Sequence, residues 1–131
     1  MSLEIRAISE QEIEAVRQLL TSNLWAHRVT DSASFEVLIN NSDCCIVALK
    51  NDAVVGFARG ITDHLSNGYI SMVVVASECR RQGIGRKLVA ALTTENRDIT
   101  WVLRASRDGA KEFFAHLGFM PSTDAMELRR R

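Results

Sequence analysis

The sequence has little of several features that usually identify a class of protein. It contains one proline, 3 cysteines and 6% aromatic residues in 131 positions. No apolar run approaches the ~20 residues of a membrane-spanning helix, and the opening MSLEIRAISE carries no secretory pattern. Because 16 basic residues balance 16 acidic ones, no net charge favours binding to nucleic acid or to an anionic membrane.

The cysteines and histidines also argue against a metal centre. Their spacing matches no zinc motif, and the histidines lie far apart with no grouping of carboxylates or cysteines around them. These residues are Cys44, Cys45, Cys79, His27, His64 and His116. Three cysteines, an odd number that matches no metal spacing, are typical of a reducing compartment, so a cytoplasmic location is expected. The length and the 47% hydrophobic content fit one domain over residues 1–131.

Hydrophobic periodicity predicts the element order β-α-α-β-β-β-α-β-α-β. Ser9 and Glu12 form a capping box before the first helix, and Asn51-Asp52 suits a tight hairpin. The polar segment Thr21–Ser34 looks like a loop before a short helix at Phe35–Asn40. The alternating AMELR near the C-terminus predicts a last strand. The fold class is therefore mixed α+β, with a mostly antiparallel sheet of about 6–7 strands and about four flanking helices.

The segment RRQGIGRK, residues 80–87, places glycines and cations between the apolar strand MVVVA and the helical KLVAAL. A helix N-terminus has four backbone N–H groups without partners and carries a partial positive charge. Glycines let the chain approach a bound group closely, and the arginines and lysine add formal charge. The pattern predicts a phosphate-binding loop. The alternative is a tight turn that uses glycine for its geometry alone.

Two common nucleotide motifs do not fit this loop. A Walker loop needs Ser or Thr after Gly-Lys, and here Gly85 is followed by Arg86 and Lys87. A dinucleotide fingerprint needs glycine at Leu88 and an acid near Arg104. Both nucleotide interpretations are excluded.

The spacing Arg80-x-x-Gly83-x-Gly85 resembles the Arg/Gln-x-x-Gly-x-Gly/Ala loop of the GCN5-related N-acetyltransferases (GNATs). The longer VVVASECRRQGIGRKLVAAL is similar to that superfamily's acetyl-CoA motif, with strand, loop and helix in order. RDGAKEFFAHLGF resembles its later helix, and VVGFARGITD resembles the strand before the motif. The resemblance covers essentially the whole chain and implies a GNAT fold.

The resemblance implies that acetyl-CoA is the co-substrate, with no metal. In the family, backbone amides of the loop hold the CoA pyrophosphate, and a strand pairs with the pantetheine arm. The corresponding loop residues here are Arg80, Arg81, Gln82, Gly83, Ile84, Gly85 and Arg86. The pantetheine arm would pair with Val73, Val74 and Val75, and the backbone N–H of Val75 would polarise the thioester carbonyl.

The sequence is less informative about proton transfer. Asp63, at the end of the strand before DHLSNG, is the first candidate for the general base, and a turn-initiating aspartate is the alternative. His64 and Glu78 are weaker candidates. The later helix of the family usually carries a tyrosine that protonates the leaving thiolate, and Phe114 stands there instead. We interpret Phe114 as a wall beside the sulfur, because a thiolate can leave without an enzymatic acid.

The expected function is transfer of an acetyl group to a primary amine of a small molecule or peptide by direct attack in a ternary complex. A non-catalytic acyl-CoA-binding or sensor domain is the alternative, and a longer acyl donor stays open. The segment from Trp25 to His27, the short helix after it and DHLSNG are expected to select the acceptor. Oligomeric state is not indicated, and a homodimer stays open.

Overall fold

The computed structural model describes residues 2–25, 29–94 and 97–131. The strands are β1 (Leu3–Ala7), β2 (Cys44–Lys50), β3 (Ala53–Thr62), β4 (Asn67–Val75) and β5 (Thr100–Leu103). The α-helices with described bounds are α1 (Ile13–Leu20), α2 (Ser32–Asn40), α3 (Ile84–Thr93) and α4 (Ala110–His116). Short 3-10 turns precede α1 and follow β4 at Glu10–Glu12 and Ser77–Cys79. None of these helices is long and apolar enough to cross a bilayer.

The strands form one sheet in the order β1-β2-β3-β4-β5. The first four strands are antiparallel neighbours, and β5 runs parallel to β4. Short turns join β2 to β3 and β3 to β4, whereas α1 and α2 lie between β1 and β2. The parallel pair β4 and β5 is joined by the crossover helix α3. The expected mixed, mostly antiparallel architecture is confirmed.

Each face of the sheet has its own core. On one face, Val47, Phe57 and Val74 pack under α1 and α2. On the other face, Ala48, Ala58, Ile70 and Phe114 pack with the buried stripe of α3. Apolar side chains therefore fill both sides of the central strands, as expected for a sheet covered on two faces.

Local sequence signals account for several element ends. Asn51 and Asp52 both have positive φ, at 52° and 68°, which is the conformation that a tight hairpin between β2 and β3 requires. The Glu12 carboxylate accepts a hydrogen bond of 2.9 Å from the Ser9 backbone N–H, as the capping box predicted. Gly118 ends α4 with a φ of 98°.

Two expectations about secondary structure were wrong. Helix α2 begins at Ser32, because Asp31 caps it by accepting from the Ser34 N–H, and Thr21–Trp25 continues α1 as a π-helical turn. The AMELR strand does not form: residues 119–131 contain no helix or strand. Met126 and Leu128 are 97% and 101% exposed, so the alternation of apolar and polar residues in this segment places neither side chain in the core. The sheet accordingly has five strands in the described part of the chain, fewer than expected.

Candidate active site

Strands β4 and β5 separate halfway along β4, so the C-terminal half of β4 has an open edge. The last pair between β4 and β5 joins Ile70 to Leu103, whereas β4 continues to Val75 with β3 as its only described strand neighbour. The Ala76 N–H donates to Val55 O of β3 at 2.8 Å. Because backbone groups alternate along a strand, the N–H groups of Val73 and Val75 point away from β3, toward the open edge. This edge can pair with an extended ligand.

The loop that follows β4 ends at the N-terminus of α3. Arg81 and Gly83 both have left-handed backbone conformations, with φ of 66° and 81°, and the helix begins at Ile84. A Cβ at Gly83 would meet no atom within 4 Å, so the backbone conformation explains this glycine better than packing does. The first N–H groups of α3 face the loop without helical partners, as an anion site requires.

Gly85 allows α4 to approach α3 closely. A Cβ on Gly85 would lie 3.0 Å from Cζ of Phe113, which is tighter than nine in ten real Cβ contacts. Phe113 thereby closes one side of the loop, and any larger residue at position 85 would push it away. The two glycines of the motif therefore have different roles. Gly83 allows the turn, and Gly85 allows α4 to pack closely against α3.

The side chain of Arg80 connects the loop to two other elements. Its Nε donates to Val75 O at 3.2 Å, and its Nη2 donates to Asn23 Oδ1 at 2.9 Å. Arg107 donates from Nη1 to the Asn23 carbonyl at 3.5 Å, which is a long contact. The π-helical turn after α1 is thus bonded to residues from two separate loops. These bonds place arginine charge beside the open edge of β4.

A cavity of about 650 Å³ runs between the open edge of β4, the loop and α4. It is lined by Asn23, Val73, Val74, Val75, Cys79, Arg80, Arg81, Gly83, Ile84, Gly85, Arg86, Arg107, Asp108, Gly109, Ala110, Phe113, His116 and Leu117. The structure therefore brings together nine of the residues that the sequence assigned to CoA. Gln82 is absent from this lining, and its Oε1 accepts instead from Lys50 Nζ at 3.0 Å.

Phe114 is not among the residues that line the cavity. It is 9% exposed and packs edge-on against Phe113 and Phe119, at ring-centroid distances of 4.9 and 5.4 Å. Phe113, one position earlier, lines the cavity instead. The role of Phe114 as a wall beside the sulfur stays a prediction, and this placement in the core does not favour it.

Asp63 holds the turn between β3 and β4. Its Oδ1 accepts from the backbone N–H groups of Leu65, Ser66 and Asn67 at 2.9, 2.8 and 3.1 Å. Its Oδ2 accepts from the Ser66 hydroxyl at 2.6 Å. These donors, led by the Ser66 hydroxyl, hold the pKa of Asp63 well below its usual range. A carboxylate so stabilised is a weak base, so the geometry favours the turn-initiating alternative.

The other candidates for acceptor selection and proton transfer are only partly described. His27 and the side chain of Trp25 lie outside the described part of the structure. Glu78 is exposed after β4 and accepts a long contact of 3.4 Å from Ser77. His64 follows Asp63 in the same turn, where its N–H donates to the Thr62 hydroxyl at 3.0 Å. Within residues 2–25, 29–94 and 97–131, no three His, Cys, Asp or Glu side chains group as a metal site would require.

Nine residues of the cavity lining were not assigned to it from the sequence, among them Asn23, Arg107, Phe113 and His116. Asn23 belongs to the polar segment after α1, which was expected to contact the acceptor rather than the loop. Phe113 neighbours the position that the resemblance selected. Gly85 is the sequence feature that relates to Phe113, because a residue without a Cβ allows an aromatic ring to approach closely.

Comparisons with known proteins agree with this geometry. The sequence profile of the Acetyltransferase (GNAT) domain matches residues 41–121, which include β2 through α4. A mycothiol acetyltransferase from Rhodococcus erythropolis is 34% identical over 85 residues, covering 64% of this chain and 28% of that protein. An uncharacterized N-acetyltransferase from Gracilaria tenuistipitata var. liui is 30% identical over 80 residues, covering 60% and 44%. The chain thus spans less than half the length of either relative.

Solved structures share the fold over nearly the whole chain. A protein from Xanthomonas campestris pv. campestris, attributed to the GNAT family, superposes with a TM-score of 0.82 at 21% identity, covering 99% of this chain and 94% of that one. AAC(6')-Iy, solved with a bisubstrate analogue built on CoA, gives 0.76 at 17% identity, covering 100% and 99%. With the profile match over more than half of its length, the chain belongs to the GNAT family of acetyltransferases.

Proposed function

We propose that this protein transfers the acetyl group of acetyl-CoA to a primary amine of a small molecule or peptide. The observation that carries the proposal is the open edge of β4 beside the N-terminus of α3, both lining one cavity. A pantetheine arm is an amide-containing chain and suits a strand edge, and a pyrophosphate suits a helix N-terminus. Family membership supports the same assignment.

The residues present fit CoA at both ends of this cavity. Gly83 is left-handed with open space where a side chain would stand, which leaves room for a phosphate against the backbone. The amides of residues 81–86 would hold the pyrophosphate, with Arg80, Arg81 and Arg86 supplying positive charge. The backbone groups of Val73 and Val75 would hold the pantetheine arm. Acetyl-CoA supplies the acetyl thioester that the amine attacks.

The chain contributes a hydrogen-bond donor where negative charge develops in the reaction. As the amine nitrogen bonds to the acetyl carbon, the carbonyl oxygen gains charge before the carbon–sulfur bond breaks. We assign the Val75 N–H to that oxygen, because it points to the open edge and Arg80 already occupies the carbonyl of the same residue. One such preorganised donor is worth about 3–4 kcal/mol of the barrier.

Proton balance needs one acceptor and one donor. The attacking amine must be neutral and loses a proton as the amide forms, and the departing thiolate gains one. Water is the favoured acceptor for the amine proton, because the Asp63 carboxylate is already engaged by the turn. The thiolate of CoA is a tolerable leaving group, with a pKa of about 8.5 for an ordinary thiol, so water can protonate it as well.

The test is a time course of free thiol released from acetyl-CoA in the presence of a broad panel of primary amines. Time-dependent release that depends on an amine, with the acetylated amine identified by mass spectrometry, is the expected result. Tight CoA binding with no turnover across the panel would instead favour the sensor alternative. Competition between acetyl-CoA and longer acyl-CoA thioesters then measures the acyl preference.

A further inference from the structure

One face of the sheet stays partly open beside the point where β4 and β5 separate. Ile61, Tyr69 and Val102 are in register across β3, β4 and β5, so their side chains share a face. Trp101 and α3 lie on the opposite face, since Trp101 and Leu92 contact Gly60 there. Ile61 and Val102 are 40% and 42% exposed and lie on either side of Tyr69, so they form a small apolar strip that faces solvent.

Arg59 lies on the same face, two residues before Ile61, and is only partly exposed. Its Nε donates to the Ser42 hydroxyl at 2.7 Å. Desolvation lowers its pKa, and nearby Cys45 and Tyr69 partly oppose that shift. Within the described chain no carboxylate pairs with this guanidinium, although arginines that lose solvent usually gain an anionic partner. Its remaining N–H donors suit an anion from outside the chain.

Arg104 reaches the same position from the end of β5. Its Nε donates to the Tyr69 hydroxyl at 3.1 Å and lies 3.5 Å from Oε2 of Glu127. Glu127 belongs to the exposed segment 119–131 and also pairs with Arg129, at 2.6 Å. The carboxylate that the chain places at this cluster thus comes from a segment with little packing of its own, and another carboxylate can displace it.

The cluster lies where β4 and β5 separate, at the start of the open edge whose other end, at Val75, is assigned to the thioester. Tyr69 precedes Ile70, and Arg104 follows Leu103, which together form the last pair before the strands separate. A molecule that enters from the open face would contact Ile61 and Val102 with its carbon chain. Its amine would then point between β4 and β5.

We propose that the acceptor carries a carboxylate in addition to its amine, and that Arg59 and Arg104, with Tyr69, bind that carboxylate. This rests on the proposed function. A planar guanidinium binds a carboxylate through two parallel hydrogen bonds, which fixes orientation as well as position. The two arginines and the apolar strip therefore set specificity for an amino acid or a peptide C-terminus over a simple polyamine.

The experiment compares the common amino acids with the same amino acids as carboxamides, both as acceptors and as ligands of the CoA-loaded protein by saturation-transfer NMR. At least one acid should bind and be acetylated, and its amide should be about tenfold weaker or worse. Arg104→Gln and Arg59→Gln should each raise the KM or Kd for that acid about tenfold, without changing the KM for acetyl-CoA. Arg59→Lys should recover part of the loss, and Arg130→Gln, at an exposed arginine of the tail, is the matched control.

Glu127→Gln gives a readout that a merely structural role would not move. Removing the competing carboxylate should strengthen acid binding, and unchanged binding would show that Glu127 does not compete at this site. Amides that bind as well as acids, no acid that binds, or unchanged acid affinity in both arginine variants would overturn the proposal. Acids that bind through Arg59 and Arg104 without being acetylated would support the carboxylate site and contradict the proposed function.

Discussion

Arg80 and Asn23, 57 positions apart in the chain, are joined by a hydrogen bond of 2.9 Å from Nη2 to Oδ1. The same guanidinium donates to Val75 O, so one side chain ties the phosphate loop to the reactive strand and to the turn after α1. Two neutral acceptors therefore set the position of the Arg80 guanidinium. They orient the group and leave its positive charge available to a phosphate.

Replacing Arg80 should weaken CoA binding more than replacing its acceptor. Arg80→Gln removes the charge and should raise the Kd for CoA about tenfold, whereas Asn23→Ala only frees the side chain and should raise it by a smaller factor. The double variant should be no worse than Arg80→Gln alone, because both changes act through one side chain. Calorimetric titration of CoA measures all three. Additive losses would show that Asn23 binds the ligand independently.

Phe113 and Phe114 should separate binding from stability. Phe114 is buried, so Phe114→Ala should cost about 3–5 kcal/mol of unfolding free energy with little change in CoA affinity for the folded protein. Phe113→Ala should cost less stability and raise the Kd for CoA, because Phe113 lines the cavity. Chemical denaturation measures the unfolding free energy of each variant, and titration with CoA measures its Kd. The reverse pattern would show that Phe114, and not Phe113, lies beside the bound CoA, as the sequence suggested.

Asp63→Asn discriminates between turn capping and general-base catalysis. The amide oxygen of asparagine can still accept from the three backbone N–H groups that Oδ1 serves now. We therefore expect turnover within about threefold of the parent and an unchanged pH profile, since asparagine also favours turns. A general base would instead lose about 10²–10⁴-fold, with a flattened low-pH limb. That larger loss would refute the capping assignment.

Glu14 predicts how the stability of the protein responds to acid. Its carboxylate accepts from Arg17 Nη2 at 2.6 Å and from Ser32 Oγ at 3.2 Å, which joins α1 to the start of α2. The Arg17 hydrogen bond lowers the pKa of Glu14 from 4.5 to about 2. A depressed carboxylate pKa stabilises the folded state above the unfolded value, and this contribution is lost as pH falls toward the folded value.

The measurement is Tm against pH for the parent and Glu14→Gln. The parent should be the more stable at neutral pH, and the gap should close between pH 4.5 and about 2. A gap that stays constant across this range would mean that the charge of Glu14 contributes nothing to folding.

The sequence predicted the elements whose signals are local and strong. The Ser9–Glu12 box, the Asn51-Asp52 hairpin and the strand-loop-helix around Gly83 are all set by neighbours in the chain. Asn23, Phe113 and the Arg59–Tyr69–Arg104 cluster were missed, because each depends on contacts between distant segments. The expected last strand around Met126 and Leu128 was wrong. Alternating apolar and polar residues form a strand only where a neighbouring strand can pair with them.

Gly83 tests the central claim, that the loop after β4 binds CoA, most directly. Gly118 is its matched control: it too has positive φ, 98° against 81°, and a Cβ at either site meets nothing within 4 Å. Gly83→Val and Gly118→Val should therefore strain the backbone alike and lower Tm by similar amounts. In calorimetric titrations with CoA, we predict that Gly83→Val abolishes binding while Gly118→Val keeps the parent affinity. Parent-like CoA affinity in Gly83→Val would contradict the assignment of this loop.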